Sequence, residues 1–272
     1  MWRRVVDCLG SAVEVGSPLA EVSGALDAVL RSYRDAAGEP ALRYRLERRR
    51  WPELVRDGQV VGRYDEAIDL VPALELDLYQ QVIARAPGLV LHAGAVVGEG
   101  GRALVFAGRS GAGKSTIVRA LLAGGFRYLS EECVAIAGGT CTGLARPLHL
   151  DEDEDAALPG FSCHDYPIRQ ADRLVHKKLL HPPPSQVWHG PAGGAALVHI
   201  DHAPDAGDSL EPLSVGEALS LVWQVAFRQD RAAVEAAAAL AEVARYRLRT
   251  ARPEQAIARA RALAEVHGVR PG

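Results

Sequence analysis

Between residues 42 and 47 apolar and charged positions alternate, with Leu42, Tyr44 and Leu46 on one side and Arg43, Arg45 and Glu47 on the other. This two-residue period predicts a half-buried strand. Upstream, the apolar positions of residues 19–33 are compatible with a helix that ends near Gly38. Downstream, Asp57-Gly58 suits a tight hairpin turn into Val60-Val61. Pro72 then opens a helix with Leu74, Leu78 and Val82 at four-residue spacing, closed by Pro87-Gly88.

From residue 89 the elements follow one another closely. LVLHAGAVV (residues 89–97) reads as a strand, residues 98–101 as a turn, and residues 103–107 as a buried strand running into a glycine-rich loop. Residues 115–123 form a helix stopped by Gly124-Gly125, and residues 126–130 begin a strand that ends at Glu131-Glu132. A loop-rich middle, 158–194, contains Pro182-Pro183-Pro184. Residues 195–200 give another strand. Ser214-Val215-Gly216-Glu217 is a capping box opening a helix to about residue 228. An Ala-rich helix (231–244), a short strand (246–249) and a helix from Pro253 complete the chain. The expected organisation is an N-terminal α+β region, 1–88, and a core, 89–272, in one continuous unit. No internal repeat or long linker interrupts it.

Composition narrows the class. A chain of 272 residues, 48% hydrophobic, with net charge -3, can bury a sizeable core and gives no reason to expect a nucleic-acid or acidic-membrane partner. No apolar run approaches the roughly 18–20 residues needed to cross a bilayer, and Asp7 interrupts any signal-like segment. Cys8, Cys133, Cys141 and Cys163 lack metal-type spacing, so the expectation is a cytoplasmic protein with free thiols. The seven histidines from His149 to His202 contain no pair with convincing ligand spacing. DEDED at 151–155 reads as a solvated acidic loop. Lysine occurs only at 114, 177 and 178 among 31 basic residues. Where arginine is otherwise preferred, a retained lysine marks a place for a compact ammonium.

One of those lysines lies in Gly108-Arg109-Ser110-Gly111-Ala112-Gly113-Lys114-Ser115, which fits the pattern G-x-x-x-x-G-K-[ST]. Glycines let backbone N–H groups point inward around phosphates, Lys114 reaches the terminal phosphates, and Ser115 offers a hydroxyl to Mg²⁺. The helix that follows, starting through Thr116, presents its positive end to the same anion. Glu131 and Glu132 return beside the loop after one helix and one strand. One acid there can hold Mg²⁺ and the other can accept a proton from an attacking hydroxyl. The remaining cations suited to charge on a transferring phosphoryl group are Arg109, Arg146, Lys177 and Lys178.

LHAGAVVGEGGRALVFAGRSGAGKST followed by GGFRYLSEECVAI resembles the core of the HPr kinase/phosphorylase superfamily, especially its stand-alone HPr-kinase-related kinases. The resemblance is strong over about residues 89–137 and looser elsewhere. It implies an α/β fold, a P-loop mixed sheet flanked by helices, of the HPr kinase/phosphoenolpyruvate carboxykinase type. It also implies that His92 and the pair Glu131 and Glu132 flank the γ-phosphate of ATP. HPr kinases proper carry Asp-Asp at the acidic pair, and their glycine-rich segment after the core is not found here, so phosphorylase activity and HPr as substrate are not carried over.

The expected activity is an ATP- and Mg²⁺-dependent kinase acting on a hydroxyl, most simply a serine of a peptide or protein, such as a natural-product precursor peptide. Its catalytic residues are His92, Glu131 and Glu132, and Ser115 with Glu132 takes the metal. A small-molecule alcohol kinase and a P-loop ATPase or switch without acceptor are the alternatives.

Overall fold

A computed structural model of the protein describes residues 1–154, 157–170, 173–202 and 208–272. These fall into two compact units, 1–85 with 146–184 and 86–145 with 185–272.

The first unit begins with a hairpin, β1 (Trp2–Cys8) and β2 (Ser11–Ser17). Its turn is Leu9-Gly10, both at positive φ, 54° and 85°. Leucine rarely takes this conformation, so the turn lacks the Asn-Gly or Asp-Gly signature and the hydrophobic pattern does not announce these strands. Helix α1 (Ala20–Leu30) crosses to β3 (Leu42–Arg48), which pairs parallel with β2. A crossover through a helix is what parallel pairing requires. β4 (Pro52–Arg56) and β5 (Gln59–Arg63) extend the sheet antiparallel, through the expected Asp57-Gly58 turn. Helix α2 (Leu70–Arg85) starts two residues before Pro72. First-turn amides have no helical acceptor, so proline is tolerated there. Leu70, Leu74, Leu78 and Val82 are buried, and Asp77 accepts hydrogen bonds from the Tyr44 hydroxyl (2.7 Å) and Arg56 Nη1 (2.7 Å).

The second unit opens with β6 (Leu89–Val97), β7 (Arg102–Ala107), α3 (Lys114–Leu122), β8 (Arg127–Ser130), β9 (Cys133–Ala137) and β10 (Thr140–Gly143). The chain then returns to the first unit for β11 (Leu148–Asp151), β12 (Ser162–Gln170) and β13 (Arg173–His181), an antiparallel sheet in the order β11-β13-β12. This corrects the loop-rich reading over residues 162–181, and residues 146–184 cluster with residues 1–85 and not with the core. β13 exposes Arg173 and Leu174 and half-exposes Lys177 and Lys178, so it has no clean apolar alternation. Cross-strand pairing along its whole length, from Arg173 opposite Gln170 to His181 opposite Ser162, holds it instead.

The second unit is completed by β14 (Ala192–His202), β15 (Ser209–Pro212), α4 (Val215–Trp223), α5 (Arg231–Ala237), β16 (Ala244–Thr250) and α6 (Pro253–Val266). Its sheet runs β10-β9-β6-β7-β14-β16-β15, with β8 also paired to β6 and β10 also meeting the start of β14. β7, β14 and β16 are parallel and β6 is antiparallel to β7, so the sheet is mixed. On β6 the odd positions Leu89, Leu91, Ala93, Ala95 and Val97 join a core with Val222, Ala233 and Leu240 from the α4 and α5 side. The even positions His92 and Gly94 face the other way, where Gly94 abuts Val118 of α3. The capping box is present: the Glu217 amide donates to Ser214 Oγ (3.3 Å) and the Ser214 amide to Glu217 Oε2 (2.9 Å). Helix α4 is shorter than expected, and the Ala-rich helix ends at Ala237 in a 3₁₀ segment, Ala238–Glu242. The architecture is mixed α/β, with mixed sheets flanked by helices. Among the described residues no helix is long and apolar enough to cross a membrane.

Candidate active site

The loop between β7 and α3 turns through Gly111 and Gly113 at φ of 76° and 92°. A side chain at either position would strain the backbone. Gly113 stands at the N-cap of α3 and supplies no side-chain cap. The amides of the first turn therefore remain available to whatever fills the loop, at the positive end of the helix.

Lys114 is the first residue of α3 and 5% exposed. Its ammonium donates to the carbonyls of Gly108 (2.9 Å) and Arg109 (2.8 Å), folding back over its own loop. Burial pulls its pKa down to about 8, against the opposing influence of Glu132 and then Glu131. An anion placed in the loop would repay that burial cost.

The two glutamates owe their position to a break in strand pairing. β8 and β9 both run antiparallel to β6, Ser130 opposite Ala95 and Cys133 opposite His92, and Glu131-Glu132 span the interval. The neighbour of β8 is thus β6, not the loop strand β7 as simple crossover reasoning suggests. Ser130 Oγ accepts from the amide of Cys133 (3.1 Å), pinning this interval. Gly94 makes room for it: a Cβ there would stand 2.8 Å from Val118 Cγ2 and 3.4 Å from the Glu131 carbonyl oxygen. Glu131 is 8% exposed and Glu132 half-buried.

His92, on β6, is half-buried, and its amide donates to the Val225 carbonyl (2.8 Å). Its ring centroid lies 5.7 Å from that of Phe227. Burial, and then Lys114, lower its pKa, with Glu132 acting the other way. Both favour the neutral imidazole, which can exchange hydrogen bonds without adding charge.

These residues share one cavity of about 310 Å³, lined by His92, Ser110, Gly111, Gly113, Lys114, Ser115, Thr116, Glu131 and Glu132. Gly108 and Arg109 contribute carbonyls to Lys114, and Ala112 lies on the loop's other flank. Arg146, Lys177 and Lys178 do not line the cavity and belong to the first unit. There Arg146 pairs with Glu75 (3.5 Å) and lies over the Tyr79 ring (5.3 Å to its centroid). Lys177 pairs with Asp151, and Lys178 donates to the carbonyls of Glu152 and Glu154. The acidic stretch is exposed at residues 151–154, and Asp155 lies outside the described residues. Phe227, which flanks His92, had no signal in the sequence: it follows α4 by four residues, and its N–H donates to the Val90 carbonyl of β6 (2.9 Å).

The arrangement gathers a buried ammonium, the first-turn residues of a helix, two carboxylates and an imidazole around one small space. Its ammonium and helix N-terminus suit an anion. Neither the family models nor the curated proteins compared with the chain give a match.

Proposed function

We propose that the chain is a phosphotransferase that moves the γ-phosphoryl group of ATP to a hydroxyl, most simply a serine side chain of a peptide or protein. The observation that carries this reading is the shared cavity of Lys114, Ser115, Glu131, Glu132 and His92 at the glycine loop. The same reading takes the second unit as an HPr kinase/phosphoenolpyruvate carboxykinase-like fold. In support, β6 runs antiparallel beside the loop strand and presents His92, and the acidic pair follows the loop helix and its next strand.

The loop amides and Lys114 bind the β- and γ-phosphates, Lys114 exchanging its two carbonyl acceptors for phosphate oxygens. Glu131, the more buried carboxylate, takes the proton of the acceptor hydroxyl. As the acceptor oxygen bonds to the γ-phosphorus, the bond to the β,γ-bridging oxygen breaks and its electron pair stays with ADP. His92 orients Glu132 by hydrogen bonding in its neutral form. Ser115 and Glu132 would hold Mg²⁺. Among the described residues there is no group of three or more His, Cys, Asp or Glu side chains for a metal. Two protein oxygen ligands fit a cation that completes its shell with phosphate oxygens and water. When bound, such a cation would neutralise charge on the phosphates.

The test is to incubate the protein with γ-labelled ATP and Mg²⁺, together with candidate peptides or cell extract, and follow the label. Label in an acid-stable ester of a peptide or protein supports the proposal. Label in a small-molecule ester moves the acceptor to that class. Release only as free phosphate makes the protein an ATPase or switch and ends the kinase reading.

A further inference from the structure

The first unit holds a groove of about 580 Å³ that shares no residue with the phosphate cavity. Apart from Arg169, its described lining comes from the segment 54–80. One side is the outer face of α2, where Ala73, Leu76, Asp77 and Gln80 recur at three- and four-residue spacing. The other is the end of β5 and the residues after it. Pairing with β4 is irregular between Leu54 and Val55, so Val61 has no partner on that strand. Such a bulge re-aims a side chain, and Val61 lines the groove. Tyr64 lies against Gly62, where a Cβ would stand 2.5 Å from the Tyr64 hydroxyl oxygen. Leu76 and Val61 are 61% and 38% exposed.

The arginines of the groove are already matched. Arg63 pairs with Glu53 (2.8 Å), and Arg169 with Glu66 (2.9 Å) and Asp69 (3.2 Å). Asp77 is answered by Arg56 (2.7 Å). Asp65 has no hydrogen-bond or ion-pair partner among the described residues, and neither has the Tyr64 hydroxyl. Burial raises the Tyr64 pKa, and Asp77 and then Asp69 raise it further, as a negative field does. The charge left over is therefore negative, and it stands beside exposed apolar side chains. The outer edge of β5 pairs with no strand among the described residues, which leaves backbone donors and acceptors open along the groove.

We propose that this groove holds a basic, partly apolar segment of the acceptor peptide. The proposal rests on the peptide-acceptor reading above and gives the first unit a part in it. A bare cation would leave Leu76 and Val61 in water, and an anion would meet Asp65 without a counter-charge. A peptide segment answers each feature: a basic side chain at Asp65, an apolar one against Leu76 and Val61, and main chain for the edge of β5.

The experiment measures fluorescence anisotropy of a labelled peptide, Gly-Arg-Leu-Arg-Leu-Arg-Gly, and of its counterpart with glutamate for each arginine. The full chain is compared with Asp65→Lys, Leu76→Lys and Glu265→Lys, the last reversing an exposed acid at the end of α6. Unchanged unfolding midpoints show that the variants are folded. The unmodified chain should bind the basic peptide at least about tenfold more tightly than the acidic one. Asp65→Lys and Leu76→Lys should each weaken it by about tenfold, and Glu265→Lys by less than about twofold. Equal binding of the two peptides overturns the proposal, as does an equal loss in Glu265→Lys or no loss in the groove variants. A dimer in sedimentation that Leu76→Lys dissociates also overturns it, because the occupant is then a second copy. Calorimetry with inorganic tripolyphosphate and Mg²⁺ on the same samples tests the phosphate loop separately. Groove-dependent peptide binding by a chain without tripolyphosphate affinity ends the kinase reading and upholds the groove as a peptide site.

Discussion

Glu75 and Lys114 are buried charges, 9% and 5% exposed, one in each unit, and their surroundings treat them in opposite ways. Burial alone would raise the pKa of Glu75, but His149 (3.3 Å), Arg146 (3.5 Å) and the Tyr166 hydroxyl outweigh it and hold the carboxyl below its ordinary range. At Lys114 burial wins: two backbone carbonyls and two nearby acids leave the pKa at about 8. The first charge is matched by the protein itself, as in a structural ion network. The second is left with an electrostatic deficit facing a cavity, which is the condition of a group that awaits an anion. A cation recognised only as basic in the sequence, such as Arg146, belongs to the first kind.

The largest effect expected is on chemistry. Glu131→Gln should lower phosphoryl transfer by about 10²–10⁴-fold, the scale of a lost proton acceptor, while calorimetry still detects bound ATP. Full transfer rates in both Glu131→Gln and Glu132→Gln would move proton acceptance to His92 or water. Next comes the structural network. Glu75→Ala strands the positive charge around it and should cost about 3–5 kcal/mol in denaturant unfolding. Because its carboxyl is held low, that stability is present above the unfolded-state value of 4.5 and disappears as pH falls through the folded value. Arg146→Met should also lower the unfolding midpoint. If instead the folded variant lost tripolyphosphate affinity by more than about tenfold, Arg146 would rejoin the phosphate site and the contrast between the two charges would break.

Lys114→Ala should weaken tripolyphosphate by about 10–100-fold, the value of a charge-assisted hydrogen bond or two. The pH dependence sharpens this point. A bound polyanion favours protonated Lys114, so affinity should be flat up to about 8 and then decline by at most about tenfold per pH unit. A profile that stays flat to pH 10, measured with tripolyphosphate, would show that Lys114 is not the group binding it. The smallest effect is steric. Gly94→Ala forces Val118 or the Glu131 segment to shift, and should cost about 1–3 kcal/mol of stability.

Much of the loop region was legible in the chain because its constraints are local. Leu89–Val97 appears as a strand with the expected ends, since nine nearly continuous buried positions leave no other reading. The glycine pattern, the helix after it and the capping box at Ser214 also follow from residues within one or two turns. The hairpin of β1 and β2 was hidden by a turn built on Leu9. β12 and β13 were hidden because their side chains are largely polar and only their pairing makes them strands. Lys177 and Lys178, chosen for their rarity, lie against the acidic stretch at 151–154.

By itself, then, the sequence determined the loop, its lysine and hydroxyl, and the strand–loop–helix–strand order, because each depends on backbone freedom or periodicity over a few residues. Tertiary structure alone decided that β6 would lie between β7 and β8, that Glu131-Glu132 would occupy a break in the pairing beside Gly94, and that His202 and residues 250–256 would flank the same loop. Those positions are fixed by strand register and helix packing between segments far apart in the chain, and no local pattern encodes such distances.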